Sequence, residues 1–188
     1  MDPRFLGGAA LGAAVVYAYL TAKKSKRAVT EAEVLACQDA WANAIVTISK
    51  VHAEKGDYVQ AAAAAAGELY AYGHMDVLFK PTKAAVFPFR PTANDAMSYF
   101  VGGNAVKGGY DEDAGFAING GKGWKACSFA NHQLSLHGDL AIAMGSYFFT
   151  CKATGAVSKV EYTFGYRRCS DGKIRICLHH SSVPYAAH

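Results

Sequence analysis

Three shortages bound what this chain of 188 residues is able to do. Charge is the first: 18% of residues are charged and 52% are hydrophobic, which excludes a disordered or strongly polyelectrolyte protein and points to one compact domain with appendages. Paired cysteines are the second. The five present (Cys37, Cys127, Cys151, Cys169, Cys177) are an odd number without a CxxC pair, so no disulfide framework is expected, only free thiols in a reducing compartment. Ligand and phosphate motifs are the third. There are seven histidines, but no HxH, no HExxH and no Cys/His cluster, so no catalytic zinc site is supported. His132 and His137 stand five apart, and the adjacent His179 and His180 point to opposite faces of a strand. Gly102-Gly103-Asn104 and Gly120-Gly121-Lys122-Gly123 fit no GxxxxGK[ST] pattern and lead towards strands, so they read as turns. Neither a metal nor a cofactor is expected.

Excess positive charge is missing from the body as well. The formal net charge is +4, but residues 1–27 hold five bases (Arg4, Lys23, Lys24, Lys26, Arg27) against Asp2 alone. Residues 28–188 hold 14 bases and 14 acids. A neutral body argues against nucleic acid as a partner, because that affinity comes from neutralising phosphates. The surplus flanks the 18-residue uncharged run Phe5–Ala22, FLGGAALGAAVVYAYLTA. As a helix it would reach about 27 Å, near the hydrocarbon thickness of a thin bilayer. Tyr17 and Tyr19 suit the interface, Lys23 to Arg27 a stop-transfer flank, and Gly8 and Gly12 close helix approach. A cleaved signal or presequence competes with this reading, although a secretory signal carries its bases before the apolar run and here most follow it. The expectation is a membrane anchor over 1–27, spanning with residues 5–22, and a body over 28–188 on the stromal, matrix or cytosolic side.

Within the body, Thr30-Glu31-Ala32-Glu33 is a capping box, and Val34, Trp41, Ile45 and Ile48 follow at helical spacing towards Gly56. Asp57 and Gln60 open a second helix around the alanine run 61–66, which reads as buried and ends at Gly73. Val77 to Lys80 and Ala85 to Phe89 read as short extended pieces broken by Pro81, Pro88 and Pro91. Thr92 to Asp95 caps a helix through Met97 and Tyr99 to Gly102, and a glycine-rich loop follows to Gly123. Four strand-like segments close the chain, about 124–137, 139–151, 157–168 and 173–182, with turn signals at Gly138-Asp139, Thr154-Gly155 and Asp171-Gly172. Helices first and an antiparallel meander last predict an α+β domain, a curved sheet wrapped around a long helix.

The densest polar feature is His179-His180-Ser181-Ser182, which ends an apolar strand (Ile174, Ile176, Leu178). Either the strand runs out into solvent there, or alternation carries His180 and Ser182 to the inside of the sheet and His179 and Ser181 to the other side. The second arrangement sets an imidazole beside a hydroxyl, able to orient water and move protons near neutral pH.

Several blocks resemble the iota-class carbonic anhydrases: Phe79-Lys80-Pro81-Thr82-Lys83-Ala84, Phe89-Arg90-Pro91-Thr92, Ser98-Tyr99-Phe100-Val101-Gly102-Gly103, Gly115-Phe116-Ala117-Ile118, Gly121-Lys122-Gly123-Trp124, Ala143-Met144-Gly145 with Tyr147-Phe148-Phe149, Glu161-Tyr162-Thr163-Phe164-Gly165-Tyr166 and the terminal His179-His180-Ser181-Ser182. They run in order over about residues 29–185. The resemblance implies a SnoaL-like, nuclear-transport-factor-2-like cone, also similar to the association domain of calmodulin-dependent kinase II. It implies metal-free, reversible hydration of carbon dioxide to bicarbonate and a proton. By motif match, Thr82, Tyr99 and Ser182 are the hydroxyls that would hold bicarbonate, with Ser181 the neighbouring alternative and His180 or His179 beside them. Tyr99, held by Thr82 or Ser182, would orient the water while His180 accepts its proton. The competing reading is a non-catalytic accessory subunit of a photosynthetic or respiratory membrane complex. Expected surroundings are a thylakoid membrane, next a mitochondrial inner membrane, other subunits of such a complex, and a homodimer through the open sheet face.

Overall fold

The computed structural model describes residues 27–186. The expected anchor, residues 5–22, lies outside the described residues, among which no helix is long and apolar enough to cross a membrane.

The capping box at Thr30 forms as the sequence predicts: Glu33 N–H donates to Thr30 Oγ1 at 3.3 Å and Thr30 N–H to Glu33 Oε2 at 3.0 Å. It opens helix α1, Glu31–Ala53. Arg27 and Arg168 each reach a Glu33 oxygen at 2.7 Å. The Arg168 bond does most to lower the Glu33 pKa to about 2. Helix α2, Tyr58–Leu69, is capped by Asp57 and packs on α1. The alanine run is not buried: only Ala62 is enclosed, because α2 lies outside α1 and turns one face inward. Strand β1 (Leu78–Lys80) and helix α3 (Ala93–Val101, capped by Thr92) follow. The last four elements are β2 (Trp124–His137), β3 (Leu140–Cys151), β4 (Val157–Arg168) and β5 (Ile174–Ser182).

Sheet order is β1-β5-β4-β3-β2. The last four strands form the expected antiparallel meander, and β1 adds to β5 in parallel, an edge the sequence reading had only as an extended piece. The sheet wraps α1. The Trp41 ring lies 5.7–6.2 Å, centroid to centroid, from Phe129 on β2, Tyr147 and Phe149 on β3, Phe164 on β4 and His179 on β5. Edge-on packing of this kind adds roughly 0.5–1.5 kcal/mol per pair beyond area burial. The segment 85–89 is a bent loop instead of a strand. Its amides at Ala85, Val86 and Phe87 donate to the Glu112 carboxylate at 2.8–3.0 Å, which removes them from any ladder. All five cysteines are free thiols.

Three register shifts set the sheet's phase, one of them at the start of β2 between Trp124 and Ala126. In β5, Ile176 pairs with Tyr166 but Leu178 pairs with Gly165, leaving Cys177 as the extra residue. A side chain at position 165 would put its Cβ 2.9 Å from Leu178 Cβ, so glycine is what lets the strands close over the bulge. In β2 the register slips between Asn131 and Gln133, again opposite a glycine, Gly145.

Candidate functional site

One extra residue exchanges the faces of every position beyond it. The even-numbered alternation that would carry His180 and Ser182 inward therefore stops at Ile176, and His179 and Ser181 become the buried pair, 2% and 3% exposed. His180 lies exposed on the outer face between Lys80 and Thr163, and Ser182 is half-buried opposite Glu161. Those two line an outer depression of about 410 Å³ together with His132 and Glu161. His180 as proton acceptor beside Tyr99 is thus corrected by the Cys177 bulge, and so is Ser182 as the inward serine.

The other two expected residues, Thr82 and Tyr99, meet at the inner pair. Thr82 Oγ1 donates to Ser181 Oγ at 2.9 Å, and Ser181 Oγ lies 3.5 Å from His179 Nε2. Phe79 stacks on the His179 ring at 4.6 Å, since β1 and β5 run in register. Tyr99, on α3, is 5% exposed. Burial drives its phenol pKa up, and hydrogen bonds from the Lys83 and Thr82 backbone and the Thr82 side chain only partly offset this. The phenol of Tyr147 is raised likewise by complete burial, against hydrogen bonds from Ser181 and Thr82. His179 is held well below the usual imidazole range, first by burial and then by the neighbouring His180. The cluster is therefore a set of neutral hydroxyls and a neutral imidazole in a low-dielectric interior.

Two partners fell outside the sequence reading. Tyr70, at the end of α2, has its hydroxyl 2.7 Å from His179 Nδ1 and receives the Trp41 indole N–H at 2.9 Å. Tyr147 was visible only as part of an aromatic strand. A third group holds the frame. Arg90 donates to both oxygens of Asp113 at 3.0 and 2.9 Å and sits 4.2 Å from the Tyr110 ring, while Ser98 Oγ donates to Asp113 at 2.6 Å. This buried pair ties the loop carrying Thr82 to the helix carrying Tyr99. A cavity of about 140 Å³ opens beside Tyr99, lined by Lys83, Asp113, Phe116, Asn119 and Trp124 among others.

Among the described residues, His74, Cys169 and Asp171 form the one group with metal-ligating atoms within 4.8 Å of each other, which sequence spacing did not reveal. It lies by the β4–β5 turn, at the opposite end of β5 from Ser181. Arg175 already holds both Asp171 oxygens, at 3.0 and 2.8 Å.

The model of the family described as "Metal-independent carbonic anhydrase" matches residues 32–183. A metal-independent carbonic anhydrase of Nostoc sp. strain PCC 7120 is 39% identical over 166 residues, 85% of this chain and 76% of that protein. The crystal structure of a cyanobacterial iota-carbonic anhydrase complexed with bicarbonate superposes with a TM-score of 0.79 at 36% identity, covering 86% of this chain and 96% of that one. A nuclear-transport-factor-2-like protein of Salmonella enterica serovar Typhimurium aligns at 11% identity with a TM-score of 0.48, over 83% of this chain and 92% of that one.

Proposed function

The chain belongs to the metal-independent carbonic anhydrase family, and on that premise we propose that it interconverts carbon dioxide and bicarbonate at the cluster of Thr82, Tyr99, His179 and Ser181, reached from the cavity beside Tyr99. The observation that carries the assignment is the hydroxyl pair of half-buried Thr82 and buried Ser181 beside the imidazole. In the hydration direction, the water oxygen bonds to carbon and one C=O pair moves onto oxygen. A water O–H breaks, and its proton leaves through the hydroxyls towards the mouth beside Tyr99. Charge grows on the carbon dioxide oxygens in a dry pocket, where fixed O–H and N–H dipoles act far more strongly than in water. Tyr99 and Tyr147 serve as neutral donors: a phenol is protonated near neutral pH, and burial raises both pKa values further. The aromatic walls, Phe79, Phe116 and Phe149, suit an apolar gas substrate.

The test is ¹⁸O exchange between carbon dioxide and water by the full chain with a chelator present. Exchange that survives chelation but falls in Tyr99→Phe and Thr82→Val supports the reading. Loss of all exchange in the intact chain returns the accessory-subunit reading, and undiminished variants overturn the site. Anchoring of the domain at an organellar membrane through residues 5–22 rests on the apolar run and its basic flank alone. Release of the chain by alkaline carbonate washing of membranes removes it.

A further inference from the structure

We infer that Tyr70 is a positioning residue: it donates its phenolic proton to Nδ1 of His179, which fixes the imidazole as the Nε2–H tautomer and sets the ring in the site as a hydrogen-bond donor, not a base. The functional part of this rests on the reading of the Thr82–Ser181 pocket as the place of hydration; the tautomer itself does not.

The argument is one of hydrogen-bond capacity. An indole N–H only donates, and Trp41 gives its proton to the Tyr70 oxygen at 2.9 Å. The same oxygen lies 2.7 Å from His179 Nδ1. Tyr70 is 3% exposed, and the rings of Tyr72, Phe79 and Phe100 stand 6.0 Å from its own. A phenol has one proton to give. Were Nδ1 protonated, the Tyr70 oxygen would face two donors, and its own O–H would be left against aromatic surface. Donation to a bare Nδ1 satisfies all three groups, and the penalty for an unpaired buried O–H favours it by roughly ten- to a hundredfold in population. The remaining ring proton then sits on Nε2 and faces Ser181 Oγ.

Two consequences follow for the pocket. Ser181 Oγ faces donors from both sides, Thr82 Oγ1–H and His179 Nε2–H, so its own proton is aimed away from both, into the space shared with Tyr147. The chain Thr82–Ser181–His179–Tyr70 also ends at Trp41, whose N–H cannot pass a proton on. It is a closed anchor, and the proton released by hydration leaves by the mouth beside Tyr99.

The experiment is long-range ¹H–¹⁵N correlation on the full chain with labelled histidine, the His179 signals being assigned by their loss in His179→Gln. A bare Nδ1 and a protonated Nε2 are expected, kept in Trp41→Phe and lost in Tyr70→Phe, where both tautomers become populated. A protonated Nδ1 in the unsubstituted chain overturns the inference, and so does an unchanged tautomer in folded Tyr70→Phe. The unsubstituted spectrum decides the matter even where a variant fails to fold. Isotope exchange on the same Tyr70→Phe sample is expected to show a turnover roughly tenfold lower with the carbon dioxide KM little moved. A changed tautomer with full turnover counts against the pocket as the reaction site and leaves the tautomer assignment standing.

Discussion

Ser181 and Ser182 are neighbours in sequence and opposites in structure, which makes their alanine variants a sharp test of the bulge at Cys177. Ser181 Oγ accepts from Thr82 at 2.9 Å and faces His179 Nε2 at 3.5 Å on the inner side of the sheet. Removing one fixed donor from a site of developing oxygen charge costs on the order of 10²–10³-fold in turnover, about 2.7–4 kcal/mol. Ser181→Ala also leaves the Thr82 hydroxyl and the imidazole N–H without their acceptor, worth about 1–3 kcal/mol of stability. Ser182 is half-buried on the outer face, where substitution changes matters by about 0.5 kcal/mol or less, roughly twofold in rate. The assay is ¹⁸O exchange with chelator, alongside urea unfolding so that the stability loss is read separately from turnover. Ser181→Ala is expected to be nearly inactive and Ser182→Ala nearly normal. The reverse pattern refutes the phase shift at Cys177 and the pocket built on it. Because Thr82 and Ser181 share a hydrogen bond, Thr82→Val/Ser181→Ala is expected to lose little beyond either single variant.

Gly165→Ala places a methyl 2.9 Å from Leu178 Cβ, an atom fixed to the backbone, so the bulge must shift. Overpacking of this kind costs about 1–3 kcal/mol, and turnover is expected to fall further than stability because His179 and Ser181 lie just beyond; normal exchange in the folded variant refutes this. Glu33 titrates near 2 in the folded protein, below its ordinary 4.5, held there first by Arg168. A depressed carboxyl contributes stability that is complete above its unfolded pKa and lost as pH falls from 4.5 towards about 2. Urea midpoints of Glu33→Gln are therefore expected to lie below the unsubstituted chain at neutral pH and to converge with it over that acid range, whereas parallel curves exclude the linkage.

Much of this molecule was legible where signals are local. The Thr30 and Thr92 capping boxes, the Trp41–Ile45–Ile48 stripe and the four long strands with their turns follow from side-chain chemistry within a few residues. Thr82 and Tyr99 carry no such local signal and were picked out only through the resemblance to the iota-class carbonic anhydrases. What escaped depends on non-local pairing, first of all on one residue count in β5. Nothing around Cys177 marks it as an extra residue, and only Gly165, distant in sequence and opposite in space, gives it room. That one residue exchanged His180 and Ser182 for His179 and Ser181. Glu112 drawing three amides of the 85–87 loop onto its carboxylate is invisible for the same reason: its partners are 25–27 residues away. Tyr70 reads as a helix terminus, and only the fold turns its hydroxyl towards His179.

The start of the described chain bears on how the domain would carry a pull. Arg168 donates to the carbonyls of Arg27 and Ala28 at 2.6 and 2.9 Å and to Glu33 at 2.7 Å, and Val29 N–H donates to Gly138 at 2.7 Å. Residues 27–29 are thus riveted to the end of the sheet where the β2–β3 and β4–β5 hairpins turn. The hydroxyl pocket sits at the far end of β5, about 23 Å along the strand from Ile174 to Ser181. Tension applied through residue 27 would first load the Arg168 guanidinium bonds, at the end of the sheet away from Ser181. The described chain thus enters the domain at the Gly138 and Gly172 turns, with the cavity beside Tyr99 at the other end of the sheet.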